Sequence, residues 1–431
     1  MDLITSRVKG TQDVLPDESY RRQFVEKLML ETSQLYGFGQ IRTPVFEHTE
    51  LFNRSVGDTT DVVQKEMYTF DDKGGRSITL RPEGTSPTVR AMLENGLHNN
   101  GFPLRLSYLM SCYRYEKPQA GRFREFTQFG AEIFGSDDPA ADAELIMLAN
   151  GIFRKLGISG LELQINSIGC PECRKNYHEA LKKYFEVHKD KLCHTCLERL
   201  DRNPMRILDC KSSICSEVSK DAPVILDFIC DDCKNHFETL KIYLQEMNVK
   251  YSVNSRIVRG LDYYTRTVFE FISRDIGAQG AIGGGGRYDG LVNQIGGISV
   301  PAVGFGLGFD RIMLLLENQN VPLPELEKCV VYIAGLGEDA RRIALKLAHE
   351  ARKYSIPAQC DIIGRGLKAQ LKFADKIGAK FSLVIGDEEI QKNSAILKNM
   401  STGETKVVSL DPSKFGEVLM NADIEARFSL K

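Results

Sequence analysis

Residues 257–272, Ile-Val-Arg-Gly-Leu-Asp-Tyr-Tyr-Thr-Arg-Thr-Val-Phe-Glu-Phe-Ile, set two guanidinium groups and two adjacent phenols into a stretch otherwise rich in β-branched and aromatic residues. Arg259 and Arg266 can hold a phosphate or stabilise developing negative charge. The flanks read as strand. In an extended segment Tyr263 and Tyr264 fall on opposite faces, so at least one looks into a pocket. The bland alternative is a solvated edge strand, but polar groups amid apolar sequence require partners.

Two further clusters carry the same kind of chemistry. Arg114 ends the apolar run Leu106–Tyr113 and is followed by Glu116 and the polar loop Lys117–Arg122. The returning run places Phe126, Gln128 and Glu132 at spacings of two and four, which puts a ring, an amide and a carboxylate on one face of a strand. A plain amphipathic strand with a wet face would show the same alternation. The third cluster is Ala302-Val-Gly-Phe-Gly-Leu-Gly-Phe-Asp-Arg311. Alternating glycines in a strand let a ligand approach the backbone, or mark a bulge or close packing. Arg311 then opens a helix, where the helix dipole disfavours a cation. Gly283–Gly286 is a second open-backbone strand, followed by Arg287, Tyr288 and Asp289.

Cysteines form a separate constellation. Cys170/Cys173, Cys193/Cys196, Cys210/Cys215 and Cys230/Cys233 stand as close pairs, three of them Cys-x-x-Cys. That spacing suits thiolates wrapping zinc, with two pairs completing a tetrahedral site, so eight thiols could make one or two sites. Free cysteines in a small helical insertion are the alternative.

What surrounds these clusters bounds the answer. The chain has 431 residues, too many for one ordinary domain, and a formal charge of −2. That charge excludes a global polycation but not a local basic face. The N-terminal Met1–Thr5 lacks the basic-then-apolar pattern of a secretory leader, and no apolar run approaches membrane-spanning length, so a cytoplasmic protein with reduced thiols is expected. The sequence has no Gly-x4-Gly-Lys-Ser/Thr loop, no properly placed Gly-x-Gly-x-x-Gly and no His-Glu-x-x-His, which excludes the ordinary P-loop, dinucleotide and zinc-protease readings.

Elements must position the clusters. A helix is expected over 18–36 on the spacing of Phe24, Leu28, Leu30 and Leu35, and a hairpin over 67–80 around Asp71–Gly75. Strands follow at 104–115 and 123–134, then a helix over 140–156. From about 170 to 236 the chain turns rich in cysteine and charge and reads as an insertion. Strand character resumes at 250–253, 257–272 and 280–285, and a helix at 309–317 precedes a linker at 318–326. From 328 an alternation of strand and helix through 385 implies a small domain with a largely parallel sheet. Residues 328–431 carry 17 Lys and Arg against 13 Asp and Glu, a surplus that weakly favours a polyanionic partner.

Together the clusters resemble the three signature motifs of the class II aminoacyl-tRNA synthetases: Pro44 near the start, Tyr113–Glu116 through Glu132, and Gly304–Arg311. Asp310 stands where that family usually has Glu. Arg259–Tyr264, Gly283–Asp289 and Leu80–Thr85 resemble motifs of the histidyl-tRNA synthetase family. The resemblance implies an α+β catalytic domain with a central antiparallel sheet over 1–325, interrupted by a helical cysteine-rich insertion at 170–236, and a C-terminal α/β anticodon-binding domain at 326–431. It implies a ligase that forms histidyl-adenylate from L-histidine and ATP with Mg2+ and passes the histidyl group to tRNA(His).

The resemblance also implies roles. Arg114 and Arg259 would hold the α-phosphate and Arg311 clamp the nucleotide, with adenine stacked between Phe126 and Arg311. Glu116 and Arg122 would join the ATP site. Glu83, Thr85 and Gln128 would bind the α-amino group, and Glu132 and Tyr264 the imidazole beside Tyr263. Gln119 would touch the tRNA acceptor end. Motif 1 would build a homodimer. Any zinc would be structural. Synthetase-like regulatory subunits lack the C-terminal domain and the intact Arg259–Tyr264 element, and this chain has both.

Overall fold

The computed structural model describes residues 4–57, 60–210, 212–277, 280–326 and 329–429, with side chains through 421. Residues 1–3 of the N-terminal stretch read above lie outside it. The chain folds as two compact units, Met1–Pro324 and Glu325–Lys431.

The first unit is built on an eight-stranded sheet. In spatial order its strands are Gly39–Gln40, Leu104–Tyr113, Glu125–Phe134, Ala302–Gly308, Ala281–Arg287, Thr265–Ile272, Glu162–Ser167 and Ser252–Val253. The six inner strands pair antiparallel, and the short outer ones add parallel edges. Helices Pro139–Lys155, Asp231–Glu246 and Phe309–Asn318 cover one face through Leu145, Leu148, Ile152, Leu240, Ile312 and Leu315. Each such side chain contributes about 1.5–3 kcal/mol by leaving water. The other face is covered in part by Val89 and Met92 of helix Thr85–Glu94 and by Leu291 and Val292, clustered with Leu106, Phe134, Val268 and Ala302, and its open part is left for a ligand.

Helix Pro16–Leu35 buries Val25, Met29, Thr32 and Ser33 rather than the stripe through Phe24 and Leu35, which is exposed. Arg22 explains the rotation: its Nη2 donates to Asp310 Oδ1 at 2.8 Å, a buried ion pair that fixes which side faces inward. The shorter Asp310 therefore keeps a full set of partners, its Oδ2 accepting from Thr127 N at 2.9 Å.

The largest departure from the sequence reading lies at 257–272. Only Thr265–Ile272 is strand, and the preceding residues form a turn. Opposite-face alternation does not apply to a turn, so Tyr263 and Tyr264 stand together, ring centroids 4.7 Å apart.

A separate sheet pairs Phe46–His48, Ser77–Leu80 and Tyr68–Asp71. The insertion is helical, with helices Pro171–Val187, His194–Arg202, Ser213–Ser219 and the start of Asp231–Glu246. In the second unit the sheet order is Ala358–Cys360, Val331–Gly335, Phe381–Ile385, Ser394–Asn399 and Thr405–Ser409. The first three strands are parallel and the last two antiparallel, so the sheet is mixed where a largely parallel one was expected. Among the described residues no helix is long and apolar enough to cross a membrane.

Candidate active site

A cavity of about 670 Å³ is lined by the inner strands through Phe126, Gln128, Glu270, Gly284 and Gly306. That size falls in the range of small-molecule sites. Three different elements deliver its arginines: the loop after Leu104–Tyr113 (Arg114), the turn before Thr265–Ile272 (Arg259), and the first turn of Phe309–Asn318 (Arg311). Arg122 from the motif-2 loop makes a fourth.

Each cation is held by a neighbour. Arg259 is ion-paired with Glu270, and its guanidinium carbon lies 5.7 Å from the centre of the Tyr264 ring. Burial works against its charge, but Glu270 and Tyr264 outweigh that and lift its pKa above the ordinary arginine value. Its Nε has no hydrogen-bond partner among the described residues. Arg122 pairs with Glu116, and Arg311 donates to Ala281 O. Burial lowers the pKa of both, and a second guanidinium nearby (Arg311 for Arg122, Arg114 for Arg311) lowers it further. Such crowding of like charge favours a polyanionic ligand.

Arg114 donates from Nε to Pro82 O at 2.8 Å, and its guanidinium lies 5.3 Å from the centre of the Phe126 ring. The Phe126 ring, expected from the resemblance to stack on adenine, thus has Arg114 over its face. Gln119 pairs with Arg122 in the motif-2 loop, and it is not among the residues that line the cavity.

The other end of the cavity is lined by Glu83, Thr85, Gln128, Tyr263 and Tyr264. Glu83 accepts from Thr85 N at 2.7 Å and Ser86 N at 2.8 Å, capping the helix Thr85–Glu94. Gln128 Oε1 accepts from Gly84 N at 2.9 Å.

Glu132 stands behind this wall and not on it. It is fully buried; Oε1 accepts from Thr85 Oγ1 at 2.9 Å and from Tyr108 OH at 3.0 Å, and Oε2 pairs with Tyr288 OH. Burial pushes its carboxyl up to about 8, against the pull of those hydroxyls. The glycines of Ala302–Gly308 make the room. A Cβ on Gly304 would fall 1.5 Å from Glu132 Oε2, and one on Gly306 would fall 2.6 Å from Gln128 Nε2. These glycines admit neighbouring side chains first, and a ligand only through them.

Sequence reasoning missed Glu270 and Tyr288. Glu270 alternates with Phe269 and Phe271, as an outward-facing strand residue would, and only its pairing with Arg259 marks it. Tyr288 sits in a quoted motif, but its hydroxyl is recognisable only against Glu132.

The eight cysteines assemble as two groups, Cys170/Cys173/Cys230/Cys233 and Cys193/Cys196/Cys210/Cys215, each with its four sulfurs within 4.8 Å of one another. None is in a disulfide. Cys170, Cys193 and Cys230 stand just before helices. Burial opposes ionisation at Cys170 and Cys193, but backbone N–H groups and neighbouring thiols outweigh it and bring both down to about 7. Burial raises Cys196 and Cys233.

Comparison with known proteins completes the description. A family model described as histidyl-tRNA synthetase matches residues 10–186 and 217–312, and one described as anticodon binding domain matches 330–419. The chain is 53% identical over 409 residues to a histidine–tRNA ligase of Caldanaerobacter subterraneus, covering 95% of this chain and 98% of the relative. It is 51% identical over 409 residues to that of Acetivibrio thermocellus, with the same coverage of 95% and 98%. It is also similar to the crystal structure of apo histidyl-tRNA synthetase of S. aureus, at TM-score 0.82 and 38% identity over 96% of this chain and 100% of that one.

Proposed function

Because the chain belongs to the histidyl-tRNA synthetase family, we propose a division of labour among its residues for that family's reaction. The chain is a histidine–tRNA ligase: it activates L-histidine with ATP to histidyl-adenylate and transfers the histidyl group to the 3′ end of tRNA(His), releasing AMP and pyrophosphate. The observation that carries the assignment of roles is the meeting of Arg114, Arg259 and Arg311 in one cavity whose far end is lined by a carboxylate, an amide and two phenols.

The first step brings the histidine carboxylate against the α-phosphorus, two anions that repel. Fixed cations lower that barrier, because they are already oriented where charge develops. Arg259 and Arg114 take the α-phosphate, and the unpartnered Nε of Arg259 is a donor ready for it. Arg311 clamps the nucleotide, with adenine on Phe126 once Arg114 turns to the phosphate. Arg122 and Glu116 complete the ATP site. Magnesium bound to the phosphates would neutralise part of their charge, and Glu116 and Glu270, which line the cavity with the arginines, would offer it oxygen.

Neutral imidazole offers one donor and one acceptor on opposite sides. Glu83, Thr85 and Gln128 bind the α-amino group, Tyr264 addresses one ring nitrogen beside Tyr263, and Glu132 the other after one capping hydroxyl gives way. A ligand lacking either nitrogen would leave a buried group unpaired, which supports discrimination of about 10⁴–10⁵. Gln119 touches the acceptor end.

The catalytic domain is assigned to 1–325 with 170–236 inserted, and the anticodon-binding domain to 326–431. The protein works in the cytoplasm as a homodimer, a reading supported by the exposed Phe46 and Phe70 of the small sheet. The cysteines of the insertion suit structural zinc, outside the chemistry. Exchange of pyrophosphate into ATP, tested with each of the twenty amino acids, decides the matter. Exchange with histidine alone is expected; exchange with another amino acid and not histidine would overturn it.

A further inference from the structure

Both cysteine clusters lie at the roots of segments that grip one turn. Arg174, next to Cys173, donates from Nη1 to Tyr264 O at 2.9 Å, and Gly169, next to Cys170, accepts at its O from Arg266 N at 2.9 Å. Arg266 has φ of +48°, a left-handed conformation that costs a non-glycine residue energy unless its surroundings impose it.

The second cluster closes residues 197–209 at both ends, at Cys196 and Cys210. The far part of that segment carries Asn203 and Arg206. Asn203 Nδ2 and Arg206 Nη2 donate to Asp262 Oδ1 at 3.2 and 2.9 Å, and Arg206 Nη2 also donates to Gly260 O at 2.8 Å. Arg206 is buried. Gly260 and Asp262 belong to the same turn as Arg259, Tyr263 and Tyr264.

The sulfurs have the spacing of a metal site. A tetrahedron with metal–sulfur bonds of about 2.3 Å has edges of about 3.8 Å. The Sγ separations are 3.5 Å for Cys170–Cys173, 4.0 Å for Cys173–Cys233 and 3.8 Å for Cys193–Cys210. Backbone N–H groups also reach sulfur, Cys230 N to Cys173 Sγ at 3.0 Å and Cys193 N to Cys215 Sγ at 3.2 Å, and hold both sulfurs in place. Within 4.8 Å of one another, the four sulfurs of each cluster have room for a single ion; an iron–sulfur cubane needs them farther apart.

We propose that the insertion holds two zinc ions, one in each four-cysteine cluster, and that they brace the Arg259–Tyr264 turn, the first at its exit and the second at its centre. The metal half stands on sulfur geometry alone. The bracing half rests on the role given above to Arg259. Arg206 is a positioning residue in this scheme: it touches no substrate and acts through Gly260 and Asp262.

The test begins with metal analysis of the full chain purified without chelator. Two zinc ions per chain are expected, and cobalt in their place should give the intense thiolate-to-metal absorption of tetrahedral sites. A folded sample holding less than one zinc per chain, or holding iron instead, overturns the metal half. Cys193→Ser with Cys210→Ser should keep one ion. Arg206→Ala tests the brace without touching sulfur. It should retain both ions and lower kcat for histidine-dependent exchange by about 10²-fold, the cost of a misplacement near 1 Å. Unchanged exchange in Arg206→Ala with both ions bound overturns the brace. A wild-type chain with two zinc ions and no histidine-dependent exchange would instead sink the functional reading and leave the metal sites standing.

Discussion

The cleft and the insertion both gather groups of like charge, and they manage that charge in opposite ways. In the cleft each guanidinium has a stand-in partner: Glu270 for Arg259, Glu116 for Arg122, a carbonyl for Arg311. A ligand enters by exchange, trading one partner for another, so binding is reversible and the desolvation cost is shared. In the insertion the thiols face each other and backbone N–H groups, and among the described residues no sulfur is ion-paired with a cation. A metal ion entering such a site would displace only thiol protons, so its binding would strengthen as pH rises. The same polypeptide thus separates a cleft whose cations are partnered beforehand from thiol clusters whose charge would appear only as protons leave.

The sharpest break in that comparison is Arg259→Ala. It should fold, keep its full metal content, and lose histidine-dependent pyrophosphate exchange by about 10²–10³-fold, the range for removing one fixed donor to developing charge. Undiminished exchange would refute the role assigned to Arg259. Loss of metal would show that the two regions are less separate than their charge management implies.

Glu132 comes next, because it is the cleft's one carboxylate satisfied by hydroxyls rather than by a cation. Glu132→Ala should raise KM for histidine by tenfold or more and leave KM for ATP nearly unchanged, since a buried polar contact is worth about 1–3 kcal/mol when its partner is orphaned. Equal effects on both substrates would argue against an imidazole contact. Gly304→Ala should reproduce the histidine defect, because its Cβ would fall 1.5 Å from Glu132 Oε2.

How much of this could be seen in the sequence follows from the range of the interactions. Arg114, Arg259 and Arg311 were legible because each sits in a short local motif, and the chemistry of a guanidinium is the same in any surroundings. The strand pair 104–113 and 125–134 was legible from alternation. What escaped depended on partners remote in the chain. Glu270 looks like a wet strand residue until Arg259 is placed against it. The turn at 259–264 looks extended because its flanks favour strands, and the carbonyls of Gly260 and Tyr264 accept from Arg206 and Arg174 of the insertion, partners remote in the chain. The Cys-x-x-Cys pairs were plain, but which pairs share a site was not: Cys170/Cys173 joins Cys230/Cys233 across the whole insertion, past two nearer pairs.

The smallest effect concerns pH, and it isolates Glu132, whose partners in the cleft are hydroxyls rather than a cation. Its carboxyl is raised from 4.5 to about 8 in the fold. Between those values the folded state holds a proton that the unfolded chain has released, so stability falls as pH rises. The contribution is fully present below about pH 4.5 and lost as pH passes through about 8. Thermal unfolding of the ligand-free protein and of Glu132→Gln, compared from pH 5 to 9, should show wild type losing stability relative to the variant over that window. An amide does not titrate and keeps the hydroxyls partnered, so the difference between the curves belongs to this one group. Parallel curves would mean that Glu132 is already ionised at neutral pH with the three hydroxyls donating to it, and histidine would then meet a carboxylate that needs no proton removed before it accepts from the ring.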